Sequence, residues 1–213
     1  RHGDIVAALL ANGADPNKEN QSTGNFPLLM TAQNGHREIV AALLAKGADP
    51  NKIDQKDGIF PLLMAAQQGH GDVVAALLAN GADPNMENES TGTFPLLMAS
   101  QNGHGDIVTA LLAKGADPNK ESENNDFFPL IAAAGNGHVQ CVAHLIAGGA
   151  NIHRIWKEAG LNSLELCLGM FEEENEPGFK HACWRGAKAL LEAGATRQDG
   201  TIPDLPPEPA QTG

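Results

Sequence analysis

Histidine is the residue in this chain best suited to chemistry, and most of its histidines recur in phase. His2, His36, His70, His104 and His138 are evenly spaced, and the last four each follow a glycine. An imidazole can act as a general base or as a zinc ligand. Zinc needs its ligands converged at roughly 2.0–2.1 Å, whereas packed helices stand about 8–10 Å apart. A histidine offered once per structural repeat therefore cannot share a metal with the next. These imidazoles read as side chains that satisfy loop backbone beside a helix start.

The remaining reactive types give no stronger pattern. His138, Cys141 and His144 are spaced three residues apart, but Cys141 stands where the other repeats carry Ile39, Val73 and Ile107. It reads as a small buried core residue. Cys167 falls on the apolar face of its own segment, and no ligand spacing joins it to His181 and Cys183. Three cysteines without a Cys-x-x-Cys pair argue against a disulfide framework and fit a reducing compartment. No nucleophile motif, phosphate loop or paired carboxylate stands out, so no catalytic residue, metal or cofactor is expected. The acidic run Glu172, Glu173, Glu174 and Glu176 reads as a solvated loop, with docking of a basic partner the weaker reading. Pro206 and Pro209 make a Pro-x-x-Pro without a flanking Arg or Lys.

Composition narrows the partners. The formal charge of the 213 residues is −12 and no Lys/Arg run exists, which argues against nucleic acid. Apolar runs are short, as at Val74 to Ala79, far below the length of a membrane span. The chain opens on Arg1 in the middle of a pattern, so it reads as a fragment, and an upstream targeting signal stays open.

What must position these residues is the repeat itself. Gly-Ala-Asp-Pro-Asn recurs at 13–17, 47–51, 81–85 and 115–119, in phase with Gly-His. A fixed period of this length means stacked supersecondary units. Residues 19–51 match 87–119 better than they match the adjacent repeat, which suggests duplication of a two-repeat block. Pro27 suits a first helical position. Leu28, Leu29 and Ala32 form an apolar face, and Gly35 closes that helix. Ile39, Val40, Leu43 and Leu44 mark a second helix, with Gly47 at its left-handed end. The polar stretch from Asp15 to Asn25, and its copies, projects as a loop. Phe26, Phe60, Phe94 and Phe128 recur before the prolines and are expected to stack as a buried ladder with Leu29, Leu63, Leu97 and Ile131.

The segments "GHREIVAALLAKGADPN" (35–51) and "GHGDVVAALLANGADPN" (69–85), with the Pro-Leu helix starts, resemble the ankyrin repeat family across roughly residues 1–197. Two departures are visible. Each repeat is slightly longer than the family's usual period of about 33, which places an extra residue in each projecting loop. Phe-Pro-Leu-Leu also replaces Thr-Pro-Leu-His. The resemblance implies an all-α fold, an ankyrin-repeat solenoid of stacked helix-turn-helix units with projecting loops. Its expected divisions are a partial repeat at 1–18, repeats at 19–52, 53–86, 87–120 and 121–152, an irregular C-terminal repeat at 153–198 with an acidic insertion, and a flexible proline-rich tail at 199–213.

The resemblance further implies a non-catalytic interaction module that binds a protein partner on its concave face. Carried over position by position, the helix residues are Gln33, Asn34, Gln67, Gln68, Gln101, Asn102 and Asn136. The loop residues are Asn25, Ile59, Thr93, Phe127 and Leu161. Ile59, Phe127 and Leu161 are apolar where solvent is expected, and the last loop adds Arg154 and Trp156, types enriched among binding hot spots. Trp156 packed inward beneath the last repeat is the competing reading. Residues 81–126 carry eight acidic and two basic side chains, so a basic partner fits. The expected molecule is an intracellular monomer. The rival reading is a targeting or substrate-recruiting domain of a larger enzyme, including a bacterial effector acting in a host cytoplasm. The family also implies a lesser role as a substrate for asparagine hydroxylation at Asn17, Asn51, Asn85 or Asn119.

Overall fold

Each unit begins where a proline fixes the backbone and turns where a glycine releases it. The computed structural model describes residues 2–173 and 177–209. Among these, α1 (His2–Ala11) is followed by four helix pairs: α2 (Pro27–Gln33) and α3 (Arg37–Ala45), α4 (Pro61–Gln68) and α5 (Gly71–Ala79), α6 (Pro95–Gln101) and α7 (Gly105–Ala113), α8 (Pro129–Gly135) and α9 (Val139–Ala147). A two-residue hairpin, β1 (Ile155–Trp156) and β2 (Leu161–Asn162), then leads to α10 (Ser163–Glu173) and α11 (Pro177–Glu192). First helices pack on first helices, from α2 to α10, and second helices on second helices, from α1 to α11. Helices of seven to nine residues are too short to stand alone in water, so stacking must stabilise them.

The expected phenylalanine ladder is present. Phe26, Phe60, Phe94 and Phe128 are 0–2% exposed. Each sits at the N-cap in extended conformation, makes no capping bond through its side chain, and precedes proline at the first helical turn. Losing a capping side chain costs about 1 kcal/mol, whereas burying a Phe contributes roughly 1.5–3 kcal/mol, so burial wins. The core continues without a break through Cys141 and Leu145 to Leu164, Cys167 and Leu190.

The histidines serve the stack differently from the expected loop contact. Nε2 of His70 meets the carbonyl of Gln33 at 3.0 Å, and His104 and His138 reach Gln67 and Gln101 in the same way. Each imidazole therefore reaches back to the first helix of the preceding repeat. Asparagines tie the same neighbours at the other turn. Asn51 Nδ2 donates to the Gly81 carbonyl at 2.9 Å, and its Oδ1 accepts from the Asp83 amide at 2.8 Å. Asn17, Asn85 and Asn119 repeat that bond pair.

Beyond the regular repeats α11 runs for 16 residues and packs on α10 and α9. Of the acidic run, Glu172 is exposed at the end of α10, while Glu174 and Glu176 lie outside the described residues. Of the tail, expected to be flexible, residues 210–213 lie outside the described residues; before them Leu205 lies against the core and the indole Nε1 of Trp184 donates to the Pro206 carbonyl at 2.7 Å. Among the described residues no helix is long and apolar enough to cross a membrane.

Candidate interaction face

The projecting loops are hairpins, closed the same way each time. The amides of Asn20, Asp54, Asn88 and Ser122 each donate at 2.8 Å to the carbonyl five residues on, at Asn25, Ile59, Thr93 and Phe127. Trp156 pairs with Leu161 at the fifth. The five loop positions chosen from sequence are thus the closing residues of the hairpins. That is why all of them, Ile59, Phe127 and Leu161 included, are half-buried rather than exposed.

Hairpin stacks on hairpin through a buried polar side chain. Asp54, Asn88 and Ser122 are only 1–3% exposed. Asp54 accepts from the amides of Lys56 and Asp57, and Asn88 from those of Ser90 and Thr91. A Cβ on Gly24 or Gly92 would collide with Asp54 or Ser122 of the next hairpin, and one on Gly58 would crowd Asn88. In the fourth hairpin the same site holds Asp126, the one described non-glycine residue at positive φ (53°). The following hairpin carries Trp156 where the others carry the small polar group.

Trp156 is half-buried, edge-on to Phe127 with ring centroids 5.1 Å apart, and its Nε1 donates to the Asn125 carbonyl at 3.2 Å. Arg154, expected as an anchor for a partner, is held by the scaffold. Its guanidinium pairs with Glu121, donates to the Asn119 carbonyl at 2.6 Å and covers the Phe128 ring at 5.5 Å. Lys52 and Lys120 do the same in earlier repeats, over Phe26 and Phe94 and against Glu19 and Glu87. Arg154 follows Lys120 by one full repeat period, and that interval is a signal in the sequence for the role.

Of the helical amides, Gln33, Gln67, Gln68 and Gln101 are exposed. Asn34, Asn102 and Asn136 are exposed too, yet their Nδ2 atoms donate at 2.7–2.9 Å to Met30, Met98 and Ala132, closing the ends of their own helices. Sequence reasoning missed the methionines. Met30, Met64 and Met98 share one position of the first helices and recur at the repeat period. Met30 is 38% exposed, and Met64 and Met98 join Ile59 and Leu63 in a cleft of about 400 Å³ between the second and third hairpins. Lys56, Asp57, Thr91 and Thr93 line its polar rim. Methionine is flexible and polarisable, which suits a surface that must adapt to a partner.

The reactive side chains do not converge. Among the described residues no group of three His, Cys, Asp or Glu could hold a metal ion. His138 bonds to Gln101, and His144 Nδ1 meets Thr109 Oγ1 and the Gly105 carbonyl, each at 3.0 Å. Cys141 is buried, which pushes its thiol up to about 11. Burial and the neighbouring Cys183 raise the Cys167 thiol further. Thiols so raised are poor nucleophiles at neutral pH.

Short helix pairs, neighbour-to-neighbour ladders and hairpins at one edge together define the architecture. The description "Ankyrin repeats (3 copies)" matches residues 1–88 and again 62–155. The chain belongs to the ankyrin repeat family. Comparison with curated proteins gives no match. Ankyrin repeats are generally protein–protein interaction modules and typically non-catalytic. The last ankyrin-like unit, beyond residue 155, is the part the match does not reach, and it is also where Trp156, the long α11 and the packed tail depart from the repeat.

Proposed function

We propose that this ankyrin array holds a protein partner on the concave face bounded by its hairpins and by α2, α4, α6 and α8. The observation that carries the reading is the cleft floored by Ile59, Leu63, Met64 and Met98 with a polar rim. An apolar floor with a hydrogen-bonding rim is the layout of a protein interface. Gln33, Gln67, Gln68 and Gln101 extend the polar side of the same face. Phe127 and Trp156 extend it as an aromatic pair at the far hairpins.

A basic partner suits this face. Lys120, Arg154 and Lys157 are already engaged with Glu87, Glu121 and Asp126, whereas Glu89 and Glu123 stand exposed on their hairpins. Exposed charges of one sign steer association more than they bind. The test compares proteins captured by the wild-type chain with those captured by Met64→Glu, by Trp156→Ala and by Glu38→Ala, the last on a second helix outside the face. A partner kept by Glu38→Ala and lost with Met64→Glu supports the assignment. A partner lost instead with Glu38→Ala moves the site to the outer surface.

A further inference from the structure

The tail meets α11 through Pro206 and Glu208, and half-buried prolines recur in it every third residue. Pro203, Pro206 and Pro209 are half-buried, as is Leu205, while Asp204, Pro207 and Glu208 are exposed. None of residues 202–209 belongs to a helix or strand. Three residues per turn is the period of polyproline, a conformation without internal hydrogen bonds that offers its carbonyls to a receptor. The receptor here is one face of α11. The Trp184 indole donates to the Pro206 carbonyl at 2.7 Å, and the His181 Nε2 lies 3.2 Å from the Glu208 carboxylate. His181 also stands edge-on to Trp184, and Lys188 covers the indole ring at 5.2 Å. An aromatic groove with an indole donor is how proline-rich segments are read.

Two further features point to an occupant of defined chemistry. In a chain of net charge −12, the face carries two cations, Arg185 and Lys188, against one carboxylate of its own, Glu192, and the acidic Glu208 of the tail lies among them. The tail also leaves room. A cavity of about 440 Å³ remains beside Glu208, bounded by Trp184, Lys188 and Ala189 of α11 and by Val139 at the start of α9.

We infer that this face of α11, on the second-helix side and away from the hairpins, is a docking groove for an extended, acidic, proline-rich segment. Residues 203–209 hold it in cis as a tethered competitor. A segment of the same chemistry on another protein enters by displacing them. The tether presents the tail at an effective concentration in the millimolar range, so the groove admits only a segment that binds well or arrives when the tail is drawn away.

The experiment uses the whole chain with Leu205→Asp and Pro206→Gly, which unseat the tail and leave α11 unchanged. A fluorescently labelled peptide of residues 201–209 is titrated into it and followed by anisotropy. Saturable binding is expected, at least about tenfold tighter than to the unsubstituted chain. A peptide of the same composition with the three-residue spacing scrambled should not bind. Trp184→Phe, added to the tail-substituted chain, removes the indole donor and should weaken binding roughly tenfold. If that variant fails to melt cooperatively, Lys188→Glu serves in its place and should weaken the acidic peptide alone. Equal affinity with and without the native tail, no binding to the unseated chain, or binding indifferent to spacing would overturn the proposal.

Discussion

The imidazole of His104 lies where a side chain on Gly69 would stand: a Cβ there would be 2.7 Å from the imidazole Cε1. Gly69 is also left-handed, at φ 80°. The recurring Gly-His pair is therefore not a local unit. Gly35, Gly69 and Gly103 each make room for the histidine of the next repeat, and that histidine bonds back to the carbonyl two residues before the glycine. Gly69→Ala should cost about 1–3 kcal/mol through backbone strain and collision. His104→Ala should cost about 1 kcal/mol through the lost bond to Gln67. The double variant should fall short of the sum by at least about 0.5 kcal/mol, since removing the ring removes the collision. Urea melts of the four chains measure this, and strict additivity would show that the two residues do not share that space.

Phe94 is 1% exposed, at the middle of the ladder. Phe94→Ala leaves a cavity between two repeats that cannot close on either side. A loss of roughly 3–5 kcal/mol is expected, and an unchanged thermal melt would refute the ladder.

Asp126 is left-handed where the other four hairpins have glycine. Aspartate tolerates that region better than alanine does. Its Oδ1 also meets Lys157 Nζ at 3.1 Å, an exposed pair of small value. Asp126→Gly should therefore be near neutral, whereas Asp126→Ala should lose about 1 kcal/mol. Equal stabilities for the two variants would place the backbone outside the left-handed region.

Glu165 gives a pH signature to the last unit. Burial works to raise its carboxyl, but the amides of Asn162 and Gln198, the Gln198 side chain and the charge of Arg197 together hold it below the ordinary value. A carboxylate lowered in the folded state contributes stability that is complete above its unfolded pKa, near ~4.3. That contribution is lost as pH falls through the lower folded value. Glu165→Gln should melt earlier than wild type at neutral pH, and the difference should shrink below about pH 4. A difference that stays constant across the titration would assign the effect to shape rather than charge.

The parts of the molecule written in its period were legible from residues alone. The buried phenylalanines, the proline starts and the core role of Cys141 follow from what repeats and what substitutes for it. Direction was not legible: a periodic histidine can serve its own loop or its neighbour, and only the stack decides. The closing positions of the hairpins read as exposed because a polar loop hides a backbone pairing that half-buries Ile59, Phe127 and Leu161. Arg154 read as an exception although Lys52 and Lys120 precede it in phase, because its loop alone carries Trp156 and lacks the small polar residue of the others. Tail docking could not be read at all. It joins Trp184 to Pro206 outside the repeat, where no second copy exists for comparison.

Every bond described between regular repeats joins nearest neighbours, the histidines reaching back and the asparagines forward. Nothing described ties the second repeat to the fourth. Pulled from its two ends, such an array has no distant clasp that must break first. It yields from an edge, one unit at a time. Each unit releases about 110–120 Å of chain when fully extended, while the units behind it keep their ladders as a template on which it can re-form. The array is thus a spring with discrete steps, and each step, by lengthening the chain, lowers the tension that the contacts to a bound partner must carry.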